Sequence, residues 1–162
     1  MNLNATILQL KLTIAKLMLQ ILQLQTQKLT GEPKLLRKWA GAIQVYEGYY
    51  PFSRSYRNKN PGNLKFTGYT QSLGAIKADV AGFCVFPTYE TGFEALCQFL
   101  KDAANGELKA YHSPGAKPSD FTLLQFFAAY APSSDKNNPN AYASFVARQL
   151  GIGPEIKIAT LL

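Results

Sequence analysis

Leu36, Trp39, Ile43 and Glu47 follow one another at spacings of 3, 4 and 4. That period sets all four on one face of a helix, and the first three are large and apolar. A helix with such a face needs a second layer to cover it, so a helical core is the first constraint on the fold. The fourth position is a carboxylate. It continues the buried face at the helix C-terminus, where desolvation and the negative end of the helix dipole both favour the protonated acid. A carboxylic acid in that state is what protonating a glycosidic oxygen requires.

The residues after Glu47 suit the same chemistry. Asn58, Asn60 and Asn63 stand in the stretch YRNKNPGN, and each asparagine offers a donor and an acceptor that match sugar hydroxyls and N-acetyl groups. Taken alone, the stretch also reads as ordinary turn chemistry. Tyrosines supply the other half of a sugar site, since a ring lies on a sugar face while its hydroxyl bonds to the rim. Of the nine in the chain, Tyr89, Tyr130 and Tyr142 are the expected groove residues. For a second carboxylate the candidates are Asp79, Glu90 and Asp135. Glu90 precedes a helix, and Asp135-Lys136-Asn137-Asn138 reads as a helix cap rather than a cation loop. No partner to Glu47 stands out. A hydrolase normally uses two carboxylates, whereas a transglycosylase needs one, because a hydroxyl of the substrate attacks the anomeric carbon.

Composition narrows the alternatives. The chain has 162 residues, 47% of them hydrophobic, enough for one domain with a core and a short appendage. Its net charge of +7 suits an anionic cell-wall polymer. The basic residues are scattered, without the run or Arg-rich helix of a nucleic-acid binder, so no nucleic-acid partner is expected. Cys84 and Cys97 are the only cysteines and His112 the only histidine. Two buried thiols and a surface histidine are the expectation, with no metal or cofactor; a Ser-His-Asp triad or a zinc hydrolase has too few parts.

The N-terminus forms a separate segment, 1–30. Leu3, Ile7, Leu10, Ile14, Leu17, Ile21 and Leu24 alternate spacings of 4 and 3, the pattern of a coiled coil, and Leu8, Leu12, Ala15, Leu19 and Leu22 make a second stripe. Residues 3–24 are therefore expected to form an oligomerisation or attachment helix; a helix folded against its own domain is the alternative. The alternation in LQLKLTI would also fit a strand, but the heptad covers more residues. Lys11, Lys16 and several glutamines keep the segment short of the roughly 20 apolar residues of a membrane span. It lacks the basic start and small-residue cleavage site of a signal peptide.

Residues 31–162 read as the main domain. Pro33 suits a first helical position, and residues 34–47 form the helix that carries Glu47. Residues 48–92 look irregular, with extended pieces at 64–69 and 82–86, and Pro61-Gly62 reads as a turn in which glycine supplies a positive φ. Thr91-Gly92-Phe93-Glu94 reads as a capping box opening a helix that Gly106 stops. A further helix spans 120–130, and a last one has Asn138 as N-cap, Pro139 at its first position and Gly151 as stop. The expected class is mainly α, with a small extended insert.

Taken in order, Glu47 on its helix, RNKNPGNLKF, CVFPTYETGFEAL and FFAAYAPSSDKNNPNAYASFVARQLGI resemble the lysozyme-like superfamily, in particular phage-type muramidases and lytic transglycosylases with an RNNNPGN loop. The order is similar to that of bacterial endo-N-acetylglucosaminidases as well. The likeness covers about residues 34–152. It implies a lysozyme-like (α+β) fold, preceded by an N-terminal amphipathic helix, that cleaves the β-1,4 glycan strands of peptidoglycan. Glu47 would be the general acid, Asn58, Asn60 and Asn63 would shape the cleft and hold the N-acetyl group, and Tyr89 matches the later tyrosine element. The site of action would be the cell wall, reached by secretion, in the periplasm or on a virion. Where soluble transglycosylases carry an E-S pair and a G-L-M-Q segment, this chain has Glu47-Gly48 and NPGNLKF, which leaves the bond cut and the fate of the anomeric carbon open. The reading from another class is a non-catalytic wall-binding or virion structural protein on the same fold.

Overall fold

The structure, a computed structural model, describes Thr13, Ile14, Lys16, Leu17 and residues 34–162. The chain divides into two compact units, Met1–Glu32 and Pro33–Leu162. In the first unit the four described residues are helical. The rest of the 3–24 repeat, with its oligomer or attachment role, and Pro33 lie outside the described residues. Among the described residues no helix is long and apolar enough to cross a membrane.

The second unit is mainly helical with a small sheet. Helix α1, Lys34–Tyr46, carries the predicted stripe: Leu36, Trp39 and Ile43 are wholly buried. It packs against α4 (Tyr89–Ala104) and α6 (Pro139–Leu150), and α5 (Leu123–Tyr130) packs on α6. Leu96, Cys97 and Leu100 of α4, Phe126 and Phe127 of α5, and Tyr142 and Val146 of α6 close the core with them. Each such large apolar side chain contributes about 1.5–3 kcal/mol by leaving water. Cys84 and Cys97 are buried thiols and form no disulfide.

The helix ends show where local chemistry outranked pattern. Helix α6 begins and ends as expected: Asn138 accepts the Ala141 N–H at 3.0 Å, proline opens the helix, and Gly151 closes it at φ 71°. Helix α4 instead starts three residues before the expected box. Thr88 is its N-cap, accepting the Thr91 N–H at 3.1 Å, and Thr91 answers through its own hydroxyl at 3.0 Å. Glu94 is thereby freed to pair with Arg37 across to α1 at 2.8 Å. Helix α5, by contrast, starts later than expected, because Thr122 and Gln125 make a reciprocal capping box.

The irregular stretch contains two short helices, α2 (Arg54–Arg57) and α3 (Gly68–Ser72), and a two-stranded hairpin. Strand β1, Lys77–Ala78, pairs antiparallel with β2, Cys84–Val85, in the register Lys77↔Val85 and Ala78↔Cys84. The expected extended piece at 64–69 is reduced to a single bridge, Lys65↔Phe83, because the Thr67 cap and its partner Thr70 turn the chain into α3. Asp79 closes the hairpin, its Oδ1 accepting the N–H groups of Ala81 and Phe83, both at 2.9 Å.

The asparagine loop lies between this hairpin and α4. Gly62 does not have the positive φ expected of it; Asn63 takes the left-handed conformation instead, at φ 47°. Glycine is needed at 62 for space: a Cβ there would lie 2.6 Å from Leu96 Cδ1 and 3.0 Å from the Tyr130 hydroxyl. Gly92 is the matching gap on α4, where a Cβ would meet the Lys59 carbonyl oxygen at 1.9 Å. The loop is seated by two glycines that face each other's elements.

Candidate active site

Glu47 sits one residue past the end of α1, its N–H still bonded to the Ile43 carbonyl at 2.8 Å. The helix pattern thus runs on to the acid, but the side chain is half-buried rather than sealed. Both carboxyl oxygens accept a hydrogen bond. Oε1 takes the Tyr142 hydroxyl from α6 at 2.8 Å, and Oε2 takes the Asn63 amide from the loop at 2.8 Å. Residues 95 and 16 positions away in sequence therefore meet on one side chain.

Tyr142 is held to do this. Its ring lies between Tyr46, with centroids 3.8 Å apart, and Phe127 at 4.1 Å, both nearly parallel to it. Burial, then the Tyr130 hydroxyl and the Glu47 carboxylate, raise the Tyr142 hydroxyl well above its ordinary pKa, so it stays a protonated donor. Asn63 is oriented by its positive φ and leaves one atom unmatched: its amide Oδ1 is buried without a hydrogen-bond partner.

Glu47 and Asn63 line a cleft of about 620 Å³. Tyr130 lines it too, donating its hydroxyl to the Gly62 carbonyl; burial, then the charge of Glu47, push that hydroxyl far up as well. The wall continues through Tyr69, Phe99 and Tyr111. Tyr69 donates to Asp102 Oδ2 at 2.7 Å, while Gln98 holds the other oxygen of Asp102 at 2.7 Å. Burial, then that bond to Asp102, raise Tyr69, and burial alone pushes Tyr111 up to about 12. Arg54, Lys65 and Phe83 form one further part of the wall, and Asp135 with Asn137 another.

The residues expected at the site divide accordingly. Glu47, Asn63 and Tyr130 line the cleft, and Tyr142 bonds to Glu47 from the core side. Asn60 is wholly buried, and its amide is consumed by the backbone of Leu64 and Cys84. Asn58 is nearly as buried and gives its amide to Asp79 at 2.7 Å. Both belong to the framework under the cleft rather than to its surface. Tyr89 faces a second hollow of about 360 Å³, shared with Gln44, Tyr49, Tyr56 and Lys59, and donates to Gln44 Oε1 at 2.8 Å.

Of the candidates for a second carboxylate, Asp135 lines the Glu47 cleft, Asp79 closes the hairpin, and Glu90 lies exposed in the first turn of α4. Among the described residues no group of three or more His, Cys, Asp or Glu side chains is placed to hold a metal ion. Tyr69, Phe99, Tyr111, Arg54, Lys65 and Phe83 were not expected in the wall. Their convergence depends on the packing of α4 and the hairpin, which no local pattern encodes. No family profile, curated protein or solved structure matches this chain.

Proposed function

We propose that the chain is a peptidoglycan-cleaving glycosidase with a lysozyme-like fold, cutting β-1,4 glycan strands in the cell wall with Glu47 as general acid. The observation that carries this reading is the Glu47 carboxyl, oriented at both oxygens by Tyr142 and Asn63 on the wall of an aromatic cleft. Glu47 gives its proton to the glycosidic oxygen as the bond from that oxygen to the anomeric carbon breaks. The carboxylate left behind then takes a proton from the incoming nucleophile, either a substrate hydroxyl, which closes an anhydro ring, or water.

The two partners of Glu47 fit both halves of that cycle. A tyrosine hydroxyl donates to a carboxylate and accepts from a carboxylic acid, so Tyr142 can stay bonded throughout. Asn63 donates its amide N–H as placed, and a half-turn of the amide presents the unmatched Oδ1 to a protonated Oε2. Asp135 is the carboxylate available in the same cleft to activate water.

Mass spectrometry of purified peptidoglycan digested by the wild type and by Glu47→Gln tests the reading. Glycan products are expected from the wild type, and a fall of about 100-fold or more from the variant, the usual contribution of a positioned acid. Anhydromuramic ends would assign a lytic transglycosylase. Reducing ends that disappear in Asp135→Asn would assign a hydrolase with Asp135 as base. No products from a well-folded wild type would overturn the enzyme and leave a wall-binding or structural role.

A further inference from the structure

Two cations share one ring in the Glu47 cleft. Arg54 Cζ lies 4.1 Å from the Phe83 ring centroid, and Lys65 Nζ lies 3.6 Å from the same centroid. All three residues line the cleft. Two other cations on this unit have acid partners: Arg37 pairs with Glu94 at 2.8 Å and Lys117 with Glu107 at 3.0 Å. Arg54 and Lys65 form no ion pair among the described residues. Arg54 acts weakly on the Asp79 carboxyl. Its two oxygens already accept from Ala81, Phe83 and Asn58, so it remains part of the hairpin turn.

Two like charges against one aromatic ring are each attracted by it and repel each other. A substrate anion in the cleft that reaches both would offset that repulsion and gain two charge-assisted bonds. The elements that hold them are fixed: Lys65 pairs with Phe83 as a β-bridge, and it follows by two residues the Asn63 that binds Glu47. An anion held here would lie along the same cleft as the acid.

We propose that Arg54 and Lys65, carried on Phe83, form a carboxylate-binding subsite that selects glycans bearing acidic substituents over neutral ones. The choice of ligand rests on the glycosidase reading above. In peptidoglycan the carboxylate comes either from the lactyl ether of the sugar or from an attached peptide, and both share the chemistry the subsite recognises.

The test is calorimetric binding to the full chain carrying Glu47→Gln, so that the ligand is not consumed. Three probes are compared: a tetrasaccharide of alternating N-acetylglucosamine and N-acetylmuramic acid, the same with its lactyl carboxyls amidated, and the same with a short acidic peptide on those carboxyls. Amidation is expected to weaken binding about tenfold, the scale of two partly exposed ion pairs. Adding Arg54→Gln and Lys65→Gln should abolish the difference, and Arg54→Lys with Lys65→Arg should restore part of it. A peptide form that binds as tightly as the free acid assigns the peptide carboxylate as an alternative source; one that binds like the amide assigns the lactyl group. Equal binding of acid and amide, or a difference that survives the double substitution, overturns the subsite. The failures separate: glycan products from the wild type with equal binding overturn the subsite alone, whereas a discrimination that the double substitution abolishes, without products from the wild type, overturns the glycosidase and leaves an acidic-glycan site.

Discussion

Asn60 and Asn63 are the same residue type, three positions apart in one loop, and they do opposite work. Asn60 is wholly buried and satisfies the loop's own backbone: its Oδ1 accepts from the Leu64 N–H at 2.9 Å, and its Nδ2 donates to the carbonyls of Leu64 at 2.9 Å and Cys84 at 3.1 Å. Asn63 is half-buried, gives one N–H to Glu47 and keeps its Oδ1 unmatched. One closes the loop onto the hairpin; the other projects from the closed loop into the cleft. The difference teaches that a side chain with capacity left over, not residue type, marks the site half of this loop. The framework half is what makes the projection rigid.

The sharpest way to break the comparison is Asn60→Ala. It strips the buried Leu64 N–H of its acceptor and the Cys84 carbonyl of the Asn60 donor, while the Leu64 carbonyl keeps the Cys84 N–H at 2.8 Å. At about 1–3 kcal/mol for each buried group left unpaired, a loss of about 4 kcal/mol is expected, read as the urea midpoint at unchanged slope. A loss below about 1 kcal/mol would mean that the loop is not held by this amide.

Next in size is Asn63→Ala. Here stability should change by less than about 1 kcal/mol, because the amide bonds only the half-buried Glu47 carboxyl. Glycan turnover should fall about 10- to 100-fold, through kcat, since the carboxyl loses one of its two orienting bonds. Equal effects of Asn60→Ala and Asn63→Ala on stability would erase the distinction between the two halves.

Tyr142→Phe is expected to lower turnover less than Asn63→Ala does. It keeps the ring stacked between Tyr46 and Phe127 and removes only the hydroxyl bonded to Glu47 Oε1. A cost of about 1 kcal/mol in stability is expected, with a drop in kcat smaller than that of Glu47→Gln. A drop as large would make Tyr142 the proton donor.

How much of this was legible follows from where each contact originates. The α1 stripe, the mainly helical class and the α6 caps rest on local periodicity and on Asn138, Pro139 and Gly151, so short windows of sequence carried them. Glu47 was readable because it continues that stripe. The roles of Asn60 and Asn63 were not, because a buried amide and a projecting one look identical in YRNKNPGN. Pro61-Gly62 suggests a conformational reason for the glycine, whereas its reason is the space taken by Leu96 on another element. Tyr89 was expected in the groove, yet its hydroxyl is bonded to Gln44 in a separate hollow. Each of these depends on a partner at least 16 residues away, as with Asn63 and Glu47, and only the fold supplies it.

The smallest predicted effect concerns the third asparagine. Asn58 donates to Asp79, which also caps the hairpin turn; the Phe83 N–H first, then the Asn58 amide, hold the Asp79 carboxyl below its ordinary pKa of 3.8. Because the folded value is depressed, the stability it contributes is fully present above pH 3.8 and is lost as pH falls from there through the folded value. Asp79→Asn removes that dependence and turns an amide N–H toward the Asn58 donor. The melting temperature of the variant should lie below that of the wild type at pH 6, and the gap should narrow as pH falls below 3.8. A gap that stayed constant with pH would show that Asp79 acts through shape rather than charge. It would also place Asn58 beside Asn60 as a purely geometric support, with the electrostatics of the loop confined to Asn63.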